Sequence, residues 1–504
     1  MSIKTQREVN GLYELTESAT KRITGSKYYN KDLAPTKLNQ RSWKTHNIAA
    51  LWVGMSVCIP TYMMASGLMA AGLSWWQAIL NILIGNLIVL IPMQLNSHAG
   101  TKYGIPYPVF ARLSFGVKGA NIAAMARGLI GAGWFGIQTW IGGGALNSVL
   151  AALSPAWANW SGGIWVSFLI FWALNVWIAY KGPETIKFME SWGAPILGFL
   201  SLSLMAWAYF SVKSHGHGVM EILNMPANYS QGDFWKIFLG GLTANIAFWS
   251  TLALNIPDFS RYAKSQKDQF MGQLLGLPLT MAAFAFVGVF VTGATGIIFN
   301  EFIWDPVAVI AKIGSPAAAI FGAVGVVVAT LTTNIAANVV ATANDISNLK
   351  PDKISFSTGA LITGFLGIAI MPWKLLSSAG AYIFGWLGTY GILLAPLAGI
   401  YIADYYIYRK KQIHVEDLFK GKDSRYWYQN GYNQKAIQVW VLCALPAVMG
   451  KFINSLAFLA ESGWIIGFLL SIIIYPLMMK DEQNSVLSEK ENLTITEFIT
   501  EEVI

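Results

Sequence analysis

The stretch VVVATLTTNIAANVVATANDISN, residues 326–348, begins as an apolar helix and then places three threonines and two asparagines between Thr330 and Asn338. In a soluble domain this would be ordinary. In a bilayer every hydroxyl and amide needs a partner, so the surrounding solvent decides what the stretch means. Of the 504 residues, 55% are hydrophobic and only 12% charged, with a mean hydropathy of +0.48. Ordinary soluble domains carry about 25% charged residues, so the chain reads as an all-α polytopic membrane protein. Twelve apolar runs are long enough to span: 48–72, 76–96, 120–153, 163–181, 192–212, 235–257, 273–298, 316–344, 357–373, 379–408, 436–455 and 462–479. They are numbered spans 1 to 12.

Charge placement supports this count. With the amino terminus inside, 28 of the 34 Lys and Arg residues fall in inner segments and five in outer ones, with Arg127 inside span 3. That is the asymmetry expected of cytoplasmic loops, and it accounts for the net charge of +8 without a nucleic-acid partner. A cytoplasmic arm (1–47), an inner loop (409–435) and a cytoplasmic tail (480–504) frame the spans. The arm is polar throughout, without the apolar core of a signal peptide. Both termini are expected in the cytoplasm of a cell whose plasma membrane holds the spans, with membrane lipid around a monomer.

Chemistry on covalent bonds has little to work with. Cys58 and Cys443 form no framework, His215 and His217 alone make no metal site, and no Walker loop, HExxH or GxSxG occurs. No cofactor is expected. A channel would want a ring of acidic groups or a carbonyl filter, and neither is visible.

The polar residues inside the spans are the informative ones. Asn334 and Asn338 share a face of span 8 with Thr330 one turn earlier. Singly, such residues often join helices; five within nine positions suggest a site. In span 3, GAGWFGIQTWIGGG (131–144) puts Trp134 and Gln138 four residues apart on one face: a π-surface with an amide one turn away, suited to a flat polar ring. Span 1 carries Gly54 and Pro60, so carbonyls from Gly54 to Val57 are expected to lose their donors. Span 6 repeats the pattern with Asn245, Trp249 and Pro257. Five spans separate the two, and interrupted helices at matching positions of two halves mark the midplane site of a transporter.

WFGIQTW, WSTLALNIPDFSRY, TLTTNIAAN, HAGTKYGIPYPVFARLSFGVKGA and PLAGIYIADYYIYRKK together resemble the nucleobase-cation-symport-1 family across nearly the whole chain, in particular its bacterial allantoin and hydantoin permease branch. The resemblance implies two inverted five-helix repeats (48–212 and 235–408) and two trailing helices (436–479). It implies import of a nucleobase-like ring (uracil, cytosine, allantoin or hydantoin class) by cation symport and alternating access. Spans 1, 2, 6 and 7 would rock against spans 3, 4, 8 and 9. Trp134 and Trp249 match the aromatics that sandwich the ring, and Gln138 and Asn338 the amides on its edge. Sodium would be held by the carbonyls of Gly54, Val57 and Ala329 and the hydroxyls of Thr332 and Thr333, with a proton as the alternative coupling ion. Cys58 departs from the pattern: it stands where allantoin carriers have asparagine and the hydantoin carrier glutamine, so one polar contact to the solute is lost. Arg127 and Asp258 lie at matching depths inward of the two tryptophans, and a gating pair between them is expected.

Overall fold

The computed structural model describes residues 5–480, apart from 182, 226, 230–232 and 314 and the side chains of 183–194, 318, 319 and 336. All twelve apolar runs fall on helices. Seven described helices are individually long and apolar enough to cross a membrane. Others are interrupted, short or rich in glycine. Span 3 (Ala120–Leu153) is 34 residues long, about 50 Å at 1.5 Å per residue, and so overreaches a hydrocarbon core of about 30 Å. Its Gly142 and Gly143 let span 4 (Gly163–Lys181) press against it, since a Cβ there would fall 2.1 Å from the Phe171 ring and 2.7 Å from the Phe168 Cα.

Span 1 is broken as expected. Thr45–Ser56 and Ile59–Ala70 meet at 57°, with the break at Val57 and Cys58. Pro60 sits in the first turn of the second half, where a missing N–H costs nothing. The Thr61 N–H turns to the Cys58 carbonyl, so among the described residues no backbone N–H reaches the Val57 carbonyl. Span 6 breaks elsewhere than its proline suggests. Phe234–Phe248 ends at Trp249, Ser250–Asn255 follows, and Pro257 merely opens a last short turn. Span 8 is α-helical to Asn334, passes through a π-helical segment over Ile335–Val339, and resumes as Val340–Ser347. Span 10 carries π-helical segments at both ends, Ala381–Leu387 and Ala403–Tyr408. Span 11 stops at Gly450, short of its expected end, because the chain then folds back by 117°.

Two bodies emerge from the packing. Span 7 (Gln266–Phe299) lies along both halves of span 1 and along span 2 (Trp75–Tyr103), which also packs on span 6. Span 3 lies along spans 4, 8 and 9 (Phe356–Ala369), with span 5 against span 8. The first body is a four-helix bundle, the second a scaffold beside it.

The amino-terminal arm is more structured than its polarity suggests. A hairpin pairs Gln6–Val9 with Leu12–Leu15, and the helix Glu17–Thr24 follows. Gln6 bonds the Ile413 carbonyl at 3.1 Å, Arg22 grips Glu416 with two 2.8 Å bonds, and Asn30 reaches the Pro351 carbonyl at 3.0 Å. Arg41 is buried against the carbonyls of Thr36, Thr101 and Tyr13. Trp43 pairs with the strand-like backbone at Tyr262 and Lys264, just after span 6. The arm therefore touches both bodies, at the ends near Pro351 and Tyr262.

Candidate solute and cation site

The breaks in spans 1 and 6 bring the expected residues to one place. Cys58, Trp134, Gln138, Trp249, Thr333 and Asn338 all line a single cavity at the level of both breaks. Its volume is about 30 Å³, room for a water or two and far too little for a ring. The walls are in contact: Trp134 meets Phe248 edge-on with centroids 5.0 Å apart, and Trp249 meets Trp52 edge-on at 5.2 Å. A ring can enter only when these aromatics part.

Polar atoms in the walls are left waiting. The Gln138 Oε1 and the Trp249 indole N–H are buried without a hydrogen-bond partner among the described residues. Leaving such groups unpaired costs about 1–3 kcal/mol each, which a solute with an N–H and a carbonyl on its edge would recover. Asn338 is aimed by Asn334: its Nδ2 donates to the Asn334 Oδ1 at 2.9 Å. Asn334 in turn donates to the Phe135 carbonyl, the Thr139 hydroxyl and the Asn175 Oδ1, at 3.2, 3.2 and 3.1 Å. So the two asparagines of the opening stretch divide the work. Asn334 ties span 8 to spans 3 and 4, and Asn338 is presented to the cavity from the π-helical segment. Replacing Asn334 with Ala should lower the unfolding free energy in detergent by about 1–3 kcal/mol, whereas Asn338→Ala should leave it nearly unchanged. Thermal melts of the two variants compare them directly, and equal losses would refute the division.

Of the five oxygens expected around sodium, two are adjacent: the Thr332 hydroxyl donates to the Ala329 carbonyl at 2.9 Å. Thr333 and Cys58 line the same cavity, which sets span 8 beside the break in span 1. Gly54 lies in the turn before that break, with nothing within 4 Å of where its Cβ would be, and Val57 offers the undonated carbonyl. Neutral oxygens from a broken helix and a hydroxyl pair suit a hard monovalent cation that must also leave.

On the side away from the amino-terminal arm, span 10 bonds to residues of the cavity wall. Tyr382 donates to the Pro60 carbonyl at 3.2 Å and Tyr390 to the Ala247 carbonyl at 2.8 Å, while the Trp134 indole N–H donates to the Tyr390 hydroxyl at 3.1 Å. Trp304 stacks on Tyr382 from the segment that precedes the short helix Pro306–Lys312. The sequence analysis does not single out these tyrosines, although Tyr382, Trp386 and Tyr390 recur every four residues. On the side of the amino-terminal arm lies a cavity of about 860 Å³, bordered by Val340 and Asn344 of span 8, Tyr180, Arg261 and the arm itself.

The expected Arg127–Asp258 pair is not made. Arg127 Nη1 contacts Asp345 Oδ2 at 3.3 Å, and Asp258 instead accepts from the Tyr107 backbone N–H at 2.8 Å and from Asn255 at 3.2 Å. The physical reason is proximity within one body: spans 3 and 8 pack directly, whereas span 6 belongs to the bundle. His215 and His217 each bond a neighbour on their own segment, Ser211 and Glu221.

Two helices interrupted at one level, polar cavity walls between them and a bundle packed against a scaffold define a secondary transporter of the inverted-repeat kind. Residues 35–470 match the family of permeases for cytosine/purines, uracil, thiamine and allantoin. The chain is 41% identical to a purine-uracil permease of Arabidopsis thaliana, covering 89% of this chain and 77% of that one. It is 39% identical to an allantoin permease of Bacillus subtilis, covering 90% and 93%. In fold it resembles Mhp1, a nucleobase-cation-symport-1 family transporter in a closed conformation with bromovinylhydantoin bound, with a TM-score of 0.75, 24% identity and coverage of 90% and 95%. The chain belongs to the nucleobase-cation-symport-1 family. It is an integral membrane transporter and not an enzyme.

Proposed function

We propose that this protein imports a planar, amide-edged ring of the uracil, cytosine, allantoin or hydantoin class together with sodium, by alternating access. The observation that carries the reading is the pair of buried, unpartnered polar atoms, Gln138 Oε1 and Trp249 Nε1, in an aromatic cavity at the level of two helix breaks. Trp134 and Trp249 take the two faces of the ring, Gln138 and Asn338 its edge, and Cys58 a position that gives the solute little polar help. The carbonyls of Gly54, Val57 and Ala329 and the hydroxyls of Thr332 and Thr333 hold the cation. The names of the relatives, a purine-uracil permease and an allantoin permease, support the solute class. The protein works as a monomer with both termini in the cytoplasm.

Competition uptake tests this. Cells expressing the chain are given labelled uracil or labelled allantoin against unlabelled nucleobases and hydantoins, with sodium or with choline in its place and at two external pH values. Saturable, sodium-stimulated uptake blocked by one ring class is the expected result. Uptake that follows the proton gradient instead would replace sodium by the proton, and flux that never saturates would mean a channel.

A further inference from the structure

Three buried ionisable groups gather on the inner side of the solute cavity. Arg127 of span 3 and Asp345 of span 8 each lie seven residues inward of a cavity residue, Trp134 and Asn338, and Asp258 lies nine beyond Trp249. At 1.5 Å per residue these are depths of roughly 10, 10 and 13 Å, so the three form one layer. The side chains of Arg127 and Asp345 are each 1% exposed, and Asp258 is buried.

The contact between Arg127 and Asp345 uses little of what the guanidinium offers. One nitrogen, Nη1, reaches Asp345 Oδ2 at 3.3 Å and the Thr342 hydroxyl at 3.2 Å. Arg127 Nε and Asp345 Oδ1 have no partner among the described residues. A fork that can make two parallel bonds of about 2.8 Å is here making one long one. Span 3 is shaped for this contact: a Cβ at Gly131 would fall 2.2 Å from the Thr342 hydroxyl and 3.0 Å from Arg127 Nη1. Asp258 is carried by the other body, within electrostatic range of both Arg127 and Asp345. One buried carboxyl group thus holds the guanidinium with Nε left over among the described residues, a second lies in the same layer on the other body, and leaving a buried charge without a partner is costly.

We propose that Arg127 is a latch shared between two carboxylates: Asp345 holds it on the scaffold while the inner cavity is open, and Asp258 takes it up as the bundle swings in to close that side. Asp345 is then a positioning residue that competes with the inner-closed state. The proposal rests on the reading that spans 1, 2, 6 and 7 rock against spans 3, 4, 8 and 9, and it predicts opposite signs for two chemically identical substitutions.

The test uses the full chain in inside-out membrane vesicles, with Val340→Cys as a reporter in the inner cavity and maleimide labelling as the readout. The native Cys58 and Cys443 are buried, and the chain without the reporter supplies the background. Asp258→Asn should speed labelling three- to tenfold by weakening the closed state. Asp345→Asn should slow it by a similar factor by freeing Arg127 for Asp258. Arg127→Gln should make both substitutions silent, and Arg127→Lys, which keeps the charge without the fork, should shrink both shifts where the glutamine variant does not fold. Shifts in the same direction, as a merely structural pair would give, or no shift in either variant, overturn the latch. The rocking reading is judged separately, by whether sodium changes labelling of the reporter in the otherwise unsubstituted chain.

Discussion

Trp134→Ala should raise the concentration of solute needed for half-maximal uptake by one to two orders of magnitude. Stacking of a base on an aromatic side chain contributes about 1–3 kcal/mol by alanine substitution, and each 1.4 kcal/mol is tenfold. The effect should exceed simple loss of stacking, because the Trp134 indole also donates to Tyr390 of span 10. Trp134→Phe keeps a π-face and loses the donor, so it separates the two roles: affinity should fall only a few-fold, while the bond to span 10 is lost. Trp249→Ala should cost the stacking alone, since the Trp249 N–H has no partner to release among the described residues. Equilibrium binding of labelled solute to the purified variants measures the first quantity. If Trp134→Ala binds as tightly as the parent, the ring does not stack there.

Thr333→Ala should abolish the stimulation of solute binding by sodium while leaving binding without sodium nearly intact. Linkage requires that solute and cation raise one another's affinity by the same factor, typically 5- to 150-fold, so a lost cation site removes the whole factor at once. Thr333→Ser restores the hydroxyl and should restore the coupling. Thr332→Val should act alike, although its hydroxyl also braces the Ala329 carbonyl, so some loss of stability is expected with it. Isothermal titration of solute at several sodium concentrations reads the coupling directly. An unchanged sodium dependence in both variants would remove these hydroxyls from the cation site and leave the solute site standing.

Much of this architecture was legible because a bilayer imposes a simple demand. Twenty apolar residues in a row have few other uses, so the twelve runs and several of their ends, 120–153 and 163–181 among them, coincide with helices. The break in span 1 was legible too, from a glycine and a proline spaced so that carbonyls lose their donors. A break in span 6 was expected as well, but its place was not legible. Trp249 has no breaker chemistry, and its ring packs against Trp52 of span 1, a contact that no local pattern announces. Proline, by contrast, can sit comfortably in a first turn, as Pro257 does. The partner of Arg127 was missed for a related reason: Asp345 fell one residue beyond the apolar run, and depth alone pointed to Asp258. Contact between spans 3 and 8 decides the matter, and no local pattern announces which helices touch. The amino-terminal arm is polar in sequence, yet it buries Ile23, Leu33 and Arg41.

The π-helical segments have a mechanical meaning of their own. A π turn holds one residue more than an α turn, so its conversion to α advances everything beyond it by one residue, a rotation of about 100° and a shift of about 1.5 Å. Span 10 has such a segment on either side of Gly388–Ile402, which makes that stretch an axle between two bearings. Relaxing the outer one would swing Tyr382 and Tyr390 out of phase with each other, since only Tyr382 lies within it. Asn338 sits inside the segment of span 8, so the same slip there would turn its amide off the cavity wall without bending the helix at all.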